Sequence, residues 1–471
     1  MGRECVMSTT LNRLLLLRGT ELLATRDPVL YALLEREHVK QEDTLAMVAA
    51  CSLADPSVLA CEAMPTTNVT TEGYPGARFH AGCEIVDQIE QLAIDRAKAA
   101  FAARFANVQP HSGSSANLVV MSTVLTPGDT ILGLDLDCGG HLTHGSKASI
   151  SGQWFNAVPY GLDAQGYISY EQVAELADRY RPRLIICGAS AYPRTIDFRR
   201  FREIADGVGA YLLADISHIA GLVVAGLHPS PIDHAHFTTT STYKQLFGPR
   251  GGLVLMGRDH DAPAPSGTGT LSQAVQRAVF PFFQGTPNLS AIAAKARALD
   301  AVATPEFTEM AGRIVSMAAT LGCLFSERGY RVLTGGTDNH MVVIDVLKSG
   351  ITGVIAERAL ERCNIIVNKN RIPGDQHPPL ITSGMRLGTN TLAARGMTAN
   401  DMPLCFELID RVLRSVTVMG LRQFDLTDEV QDDVRSQVKE ICRRYPLPDY
   451  SPASAAERSA SRIESAVAVG G

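Results

Sequence analysis

Between about residues 105 and 260 the chain repeats one pattern, a short apolar run followed by a turn or polar break and then a stretch with helical spacing. The runs are Thr130–Leu136 after the turn Pro127-Gly128-Asp129, Leu184–Cys187 after Arg181-Pro182, Tyr211–Leu213 ending at Asp215, and Leu253–Met256 after Gly251-Gly252. Strands covered on both faces read as continuous apolar runs, because both sets of alternating side chains are buried. Such strands alternating with helices imply an α/β domain with a largely parallel sheet. Ligands of these sheets bind beyond the carboxyl ends of the strands. Asp215, an acid at one such end, is therefore marked out by position alone.

The flanks read differently. Leu11 to about Ala60 is mostly helical in pattern, with Asp27-Pro28 and Asp55-Pro56 as helix starts. Glu84 to Phe105 is expected as one helix, with Ile85, Ile89, Leu92 and Ala93 on a shared face. A long helical pattern from about Ser290 to Glu327 is expected to bridge two domains. Met341–Val346, Ile365–Val367 and Met385–Leu387 then read as strands of a smaller α+β domain. The expected division is an N-terminal helical arm (1–65), a large α/β domain (66–300), a small C-terminal domain (301–448) and a loose Ser- and Ala-rich tail (449–471). Met1 to about Thr10 also reads as loose.

A chain of 471 residues is too long for one ordinary core, which agrees with two domains. The formal charge of −6 gives no basic surface for nucleic acid or an anionic membrane. No segment is apolar for long enough to span a bilayer, and Leu14–Leu17 is too short for a signal-peptide core. Ten cysteines include no C-x-x-C pair, so neither a metal site nor a disulfide framework is expected. Reduced thiols in a cytoplasmic protein are the simpler expectation.

The segment TTTSTYKQLFGPRGG, Thr238 to Gly252, places a lysine after a hydroxyl-rich stretch and before a glycine turn. The chain holds only eight lysines, so this is not a surface commonplace. A lysine amine, once neutral, forms an imine with an aldehyde. Upstream, ADISHIAGL (Ala214–Leu222) carries Asp215, whose anion suits the ring nitrogen of a pyridine cofactor. PHSGSSAN (Pro110–Asn117) supplies a glycine-serine turn before a helical stretch, which favours a phosphate dianion. Each signal alone also describes an ordinary turn, cap or solvated loop.

Together they are specific. TEGYPGARFHAGCE, CGGHLTHGS, SAYPRTIDF, ADISHIAGL, STYKQLFGPRGG and SGMRLGT occur here in the order of their counterparts in serine hydroxymethyltransferases. The chain resembles that family from about Leu11 to Arg443. The resemblance implies the aspartate-aminotransferase-like fold type I of pyridoxal-phosphate enzymes. That fold has a large domain with a mostly parallel, seven-stranded-type sheet and a smaller α+β domain, and it forms a homodimer or dimer of dimers with shared active sites.

By position, the resemblance makes Lys244 the Schiff-base lysine, Asp215 the ring-nitrogen partner and His141 the imidazole stacked on the ring. His218 and Ser190 match neighbours of the phenolic oxygen. Ser112 and Gly113 match the phosphate cradle, with Gly285 arriving from the neighbouring subunit. Arg386 matches the arginine that holds the substrate carboxylate, and Glu72 the glutamate from the other subunit that moves a proton. Leu136, Gly140 and Leu142 fall where the family contacts the pterin, with Asn370 and Phe280 as further contacts to tetrahydrofolate. The implied reaction carries a one-carbon unit between methylene-tetrahydrofolate and Cα of a small amino acid.

The chain departs from the family around the amino-acid pocket. Ala50, followed by Cys51 and Ser52, replaces the usual serine of an S-E-N motif, and Thr70 replaces a tyrosine two residues before Glu72. Phe79 and His80 replace a tyrosine pair, Tyr243 a histidine and Gln245 a threonine. In the neighbour-subunit loop Phe282, Phe283 and Thr286 replace family residues. Thr70, His80 and Tyr243 are thus candidate specificity residues, and the expectation is an altered amino-acid preference, with alanine and α-methylserine beside or instead of glycine and serine. An ordinary serine hydroxymethyltransferase, a folate-independent threonine aldolase or transaldolase, and a non-catalytic cofactor-binding subunit remain as alternatives.

Overall fold

In the computed structural model, which describes residues 2–448 and 450, the apolar runs become strands of one seven-stranded sheet. In chain order these are β1 (Phe105–Asn107), β2 (Thr130–Leu134), β3 (Asn156–Tyr160), β4 (Leu184–Cys187), β5 (Tyr211–Asp215), β6 (Phe237–Ser241) and β7 (Gly252–Met256). Their spatial order is β1-β7-β6-β5-β4-β2-β3. The pairs from β3 through β6 are parallel, and β7 runs antiparallel to both β6 and β1.

The continuous apolar runs have a direct cause. Successive side chains of a strand point to opposite faces. Ile185, Cys187, Leu212 and Ala214 enter one core, whereas Leu184, Ile186 and Leu213 enter another on the far side of the sheet. Both faces are thus dry, and neither alternate set of residues is polar.

The structure changes several sequence expectations. The hydroxyl-rich approach to Lys244, which the sequence pattern did not assign to any element, is the fully buried strand β6. Its threonines are β-branched and so fit a pleated surface, and Thr239 Oγ1 donates to Asn117 Oδ1 at 2.5 Å. The helix expected over Glu84–Phe105 stops at Phe101, where Ala102 turns left-handed (φ 54°) and frees Phe105 for β1. The long pattern from Ser290 is two helices, Leu289–Ala301 and Pro305–Glu327, parted where Thr304 caps the second and Pro305 enters its first turn. The start expected to be loose is helical, Gly2–Arg26 followed by Pro28–Glu42. The reading of the tail falls, except for Tyr450, outside the described residues.

A second, antiparallel sheet runs in the order Arg331–Val332, Met341–Asp345, Gly384–Gly388, Asn368–Asn370. It sets Arg386 opposite Val343 on one side and Asn368 on the other. Leu45–Ala46 pairs in parallel with Ile365–Ile366, so the chain before the large sheet is tied to the region around the small one. We propose the domain division 66–300 and 301–448, preceded by the arm, because each main sheet lies wholly inside one segment. Among the described residues no helix is long and apolar enough to cross a membrane.

Candidate active site

Asp215 ends β5 and is 6% exposed. Its Oδ2 accepts hydrogen bonds from His144 Nε2 (3.1 Å) and Asn117 Nδ2 (2.8 Å), and its Oδ1 accepts from the backbone N–H of Ser217 (3.0 Å). Burial opposes the charged form, but His144, His141 and Ser217 outweigh it and hold the carboxyl below the usual carboxylate range. Asp215 is therefore an anion near neutral pH. The backbone N–H of His141 points at His144 Nδ1 (3.4 Å), which leaves the ring proton on Nε2, facing the carboxylate. Asn117 is oriented by Thr239 and Thr143.

Lys244 follows β6 and is 7% exposed. Burial pushes its pKa down to about 8, against the pull of Asp215 and with help from Arg386 and Arg250. His141 is pushed down to about 4, chiefly by burial, and is neutral and flat. His218 is likewise lowered, by burial and then by Lys244 and Arg386. Arg386 projects from the small sheet. Its Nε donates to Asn368 Oδ1 (3.1 Å) and its Nη1 to the carbonyl of Ser190, which joins the two sheets' contributions at one point. Burial lowers its pKa to about 10, so it stays charged. Among the described residues it has no carboxylate partner.

Ser112 caps the helix Gly113–Val124, with its Oγ accepting from Ser115 N at 3.0 Å. A Cβ on Gly113 would lie 3.2 Å from Ser217 Oγ and from Ser241 Cβ, so the turn packs closely there. Two buried polar atoms nearby in the sequence motifs, His218 Nδ1 and Ser241 Oγ, have no hydrogen-bond partner among the described residues. A helix N-terminus, an anion at a strand end, a lysine of lowered pKa and orphaned polar atoms fit a phosphorylated pyridine aldehyde. His141, His144 and Asp215 also bring ligand-type atoms within 4.8 Å of one another. We read that group as the ring-nitrogen end of the cofactor site rather than as a metal centre.

The remaining expected residues fall into three places. Leu136 and Leu142 are exposed beside His141, and Gly140 is squeezed against the carbonyl of Leu134. Asn370 ends a small-sheet strand, and the neighbouring Arg371 bonds to Asp137 at 2.6 Å, joining that loop to the Leu136 loop. Tyr243 lies under the guanidinium of Arg250 at 3.9 Å, and its carbonyl accepts from Ser52 Oγ at 2.5 Å. A separate cluster holds Glu72, whose Oε2 lies 2.8 Å from His80 Nε2. A Cβ on Gly285 would meet Glu72 Oε1 at 3.5 Å, and Phe79 meets Phe280 edge-on at 5.4 Å. Among the described residues no hydrogen bond or ion pair joins this cluster to Lys244, Asp215 or Arg386. Thr70 is exposed before it.

Sequence reasoning did not single out Asn117, His144 or Ser241. All three stood inside quoted motifs, but their roles depend on contacts across elements. An expected result follows for Arg386. Lysine at this position keeps one charge and loses the fork, so Arg386→Lys weakens amino-acid binding by about 1.5–3 kcal/mol. Cofactor absorbance should be retained, and a titration showing unchanged substrate affinity removes Arg386 from the site.

The serine hydroxymethyltransferase family model matches residues 23–409. A probable serine hydroxymethyltransferase of Rickettsia bellii (strain RML369-C) is 46% identical over 90% of this chain and 97% of its own length. A serine hydroxymethyltransferase of Leptospira biflexa serovar Patoc is 45% identical, over 91% and 98% respectively. With the seven-stranded sheet already described, these matches lead to one conclusion: the chain belongs to the serine hydroxymethyltransferase family, fold type I enzymes that use pyridoxal phosphate as cofactor and tetrahydrofolate as co-substrate.

Proposed function

We propose that this enzyme moves a one-carbon unit between methylene-tetrahydrofolate and Cα of a small amino acid, and that its pocket accepts alanine, giving α-methylserine. Bound pyridoxal phosphate supplies the electron sink for the pair left on Cα. Lys244 supplies the amine that anchors it, Asp215 the anion for its ring nitrogen, and His141 a neutral ring to lie against it. Arg386 holds the substrate carboxylate and so orients the bonds at Cα. Glu72, paired with His80, holds or moves the hydroxyl proton. Leu136, Gly140, Leu142, Asn370 and Phe280 are the proposed pterin contacts.

The observation that carries the altered preference is the loop Ala49–Ser52. Ala49 O accepts from Asn390 Nδ2 (3.1 Å) and faces His340 Nε2 (3.2 Å), and Ser52 bonds to the carbonyl of Tyr243. The charges of Arg386 and Arg250 act on Cys51. The loop that has lost the family's serine is therefore held beside the proposed carboxylate arginine. Ala50 and Thr70 both carry less bulk than the family residues they replace, which supports room for a methyl group on Cα. A methyl-sized pocket discriminates by about 1–3 kcal/mol, so glycine and serine still react. The names of the two relatives favour a second reading, ordinary serine–glycine exchange.

The separation of the Glu72–Gly285 cluster from Lys244 supports a site completed by a second copy of the chain, as a homodimer or dimer of dimers. So do the exposed leucines of the first two helices, Leu14, Leu15, Leu17, Leu30, Leu33 and Leu34. The nine cysteines from Cys51 to Cys442 are free thiols, which supports a cytoplasmic location.

The test supplies glycine, L-alanine and D-alanine as acceptors, with and without the folate, and follows rate and product mass. The expected result is folate-dependent α-methylserine from an alanine at a rate at least matching that with glycine. If glycine outruns both alanines and no α-methylserine forms, ordinary exchange is the function. Turnover that ignores folate points to an aldolase.

A further inference from the structure

Two lysines are buried among the described residues, Lys244 and Lys295, and the reaction above uses only the first. Lys295 lies in the helix Leu289–Ala301 and is 2% exposed. Its Nζ donates to the carbonyls of Val108 (2.6 Å), Pro110 (3.0 Å) and Gly252 (3.1 Å). An ammonium has three N–H groups, and here each has one acceptor.

The three carbonyls belong to two segments that meet at this point. Val108 and Pro110 lead from β1 into the turn bearing Ser112 and Gly113. Gly252 opens β7, and its N–H donates to Pro110 O at 2.9 Å. A Cβ on Gly252 would lie 2.3 Å from the Ser112 carbonyl, so turn and strand are in direct contact. Gly251 O accepts from Thr242 N at 3.0 Å, and Thr242 stands two residues before Lys244. A Cβ on Gly251 would lie 2.2 Å from Lys295 Cε. The ammonium thus sits where the phosphate-cradle turn crosses the base of the lysine loop.

We propose that Lys295 is a positioning residue that locks the Pro110–Gly113 turn to the loop carrying Lys244, and so sets the cradle for the cofactor's phosphate relative to its covalent anchor. The proposal rests on the pyridoxal-phosphate reading of the site. The charged neighbours are Glu90, itself bonded to Arg78 (2.6 Å) and Gln109 (2.8 Å), and His111, on which the charge of Lys295 acts. Burial pushes the pKa of Lys295 down to about 7, with Glu90 opposing it. Deprotonated, the amine keeps two N–H groups and turns a lone pair toward one carbonyl.

Lys295→Met keeps an unbranched side chain and removes every donor. The experiment measures dissociation constants of pyridoxal phosphate and of unphosphorylated pyridoxal, together with turnover at saturating cofactor. The expected result is a loss of about 10- to 100-fold for pyridoxal phosphate, the range for hydrogen bonds from a charged donor. Pyridoxal binding should change by less than about 3-fold, and saturated turnover should stay within about 5-fold of the parent. Equal loss for both ligands, or none for either, overturns the proposal. If the variant does not fold, the unmodified protein decides it. Its preference for pyridoxal phosphate over pyridoxal should fall as pH rises from about 7 to 8.5, and a constant or rising preference overturns the proposal. A parent protein that binds neither ligand refutes the cofactor reading instead.

Discussion

Borohydride reduction of the cofactor-loaded enzyme is expected to fix the label on the peptide containing Lys244, and Lys244→Ala should carry none. Turnover of the variant should fall by at least about 10³-fold, since covalent anchoring and a positioned amine are lost together. The physical basis is the environment of the amine. With a pKa of about 8, roughly a quarter of it is neutral at pH 7.5, against about 0.1% for an unshifted lysine. The pKa alone does not choose this residue, because Lys295 is lowered further, to about 7. The choice rests on partners. Lys295 Nζ is held by three carbonyls, whereas Lys244 follows β6 within the field of Asp215 and Arg386. A label recovered on Lys295, or on any other lysine, ends the central claim.

Asp215→Asn should be nearly as damaging while leaving the fold intact. The amide fills the same volume and can still accept from His144 Nε2, but the negative charge is gone. Removing one member of a buried charged pair costs about 3–5 kcal/mol, which corresponds to a rate loss of roughly 10²–10³·⁵-fold if the ring nitrogen is the partner. The phosphate cradle is untouched, so the dissociation constant of pyridoxal phosphate should rise far less than turnover falls. Turnover within about 10-fold of the parent would mean that the anion serves the histidines and not the cofactor.

The legible and illegible parts of this chain differ for physical reasons. Leu184–Cys187 was readable as a strand to the residue because both of its faces are dry. Phe237–Ser241 was not, because three threonines and a serine look like solvated chain until Asn117 and the sheet are placed around them. Pro305 already marked the break between the two helices, but the uninterrupted apolar spacing on either side concealed it. In the site, Lys244, Asp215 and the Ser112-Gly113 turn stood out through their chemistry and motif order. Asn117 and His144 became visible only through their bonds to Asp215, 98 and 71 residues away.

The sequence by itself determined the alternation of buried strands and helices, the family motifs and the kinds of groups available: one lysine after a hydroxyl-rich run, an acid at a strand end, an arginine in SGMRLGT. These are local properties, carried by periodicity and residue type over a few neighbouring positions. Only the tertiary structure decided which buried lysine is tied up and which is left, how Asp215 stays charged in a dry interior, and that Glu72, His80 and Gly285 gather apart from Lys244. Those outcomes depend on burial and on hydrogen-bond partners brought from distant segments, and neither is a property of any short stretch of chain.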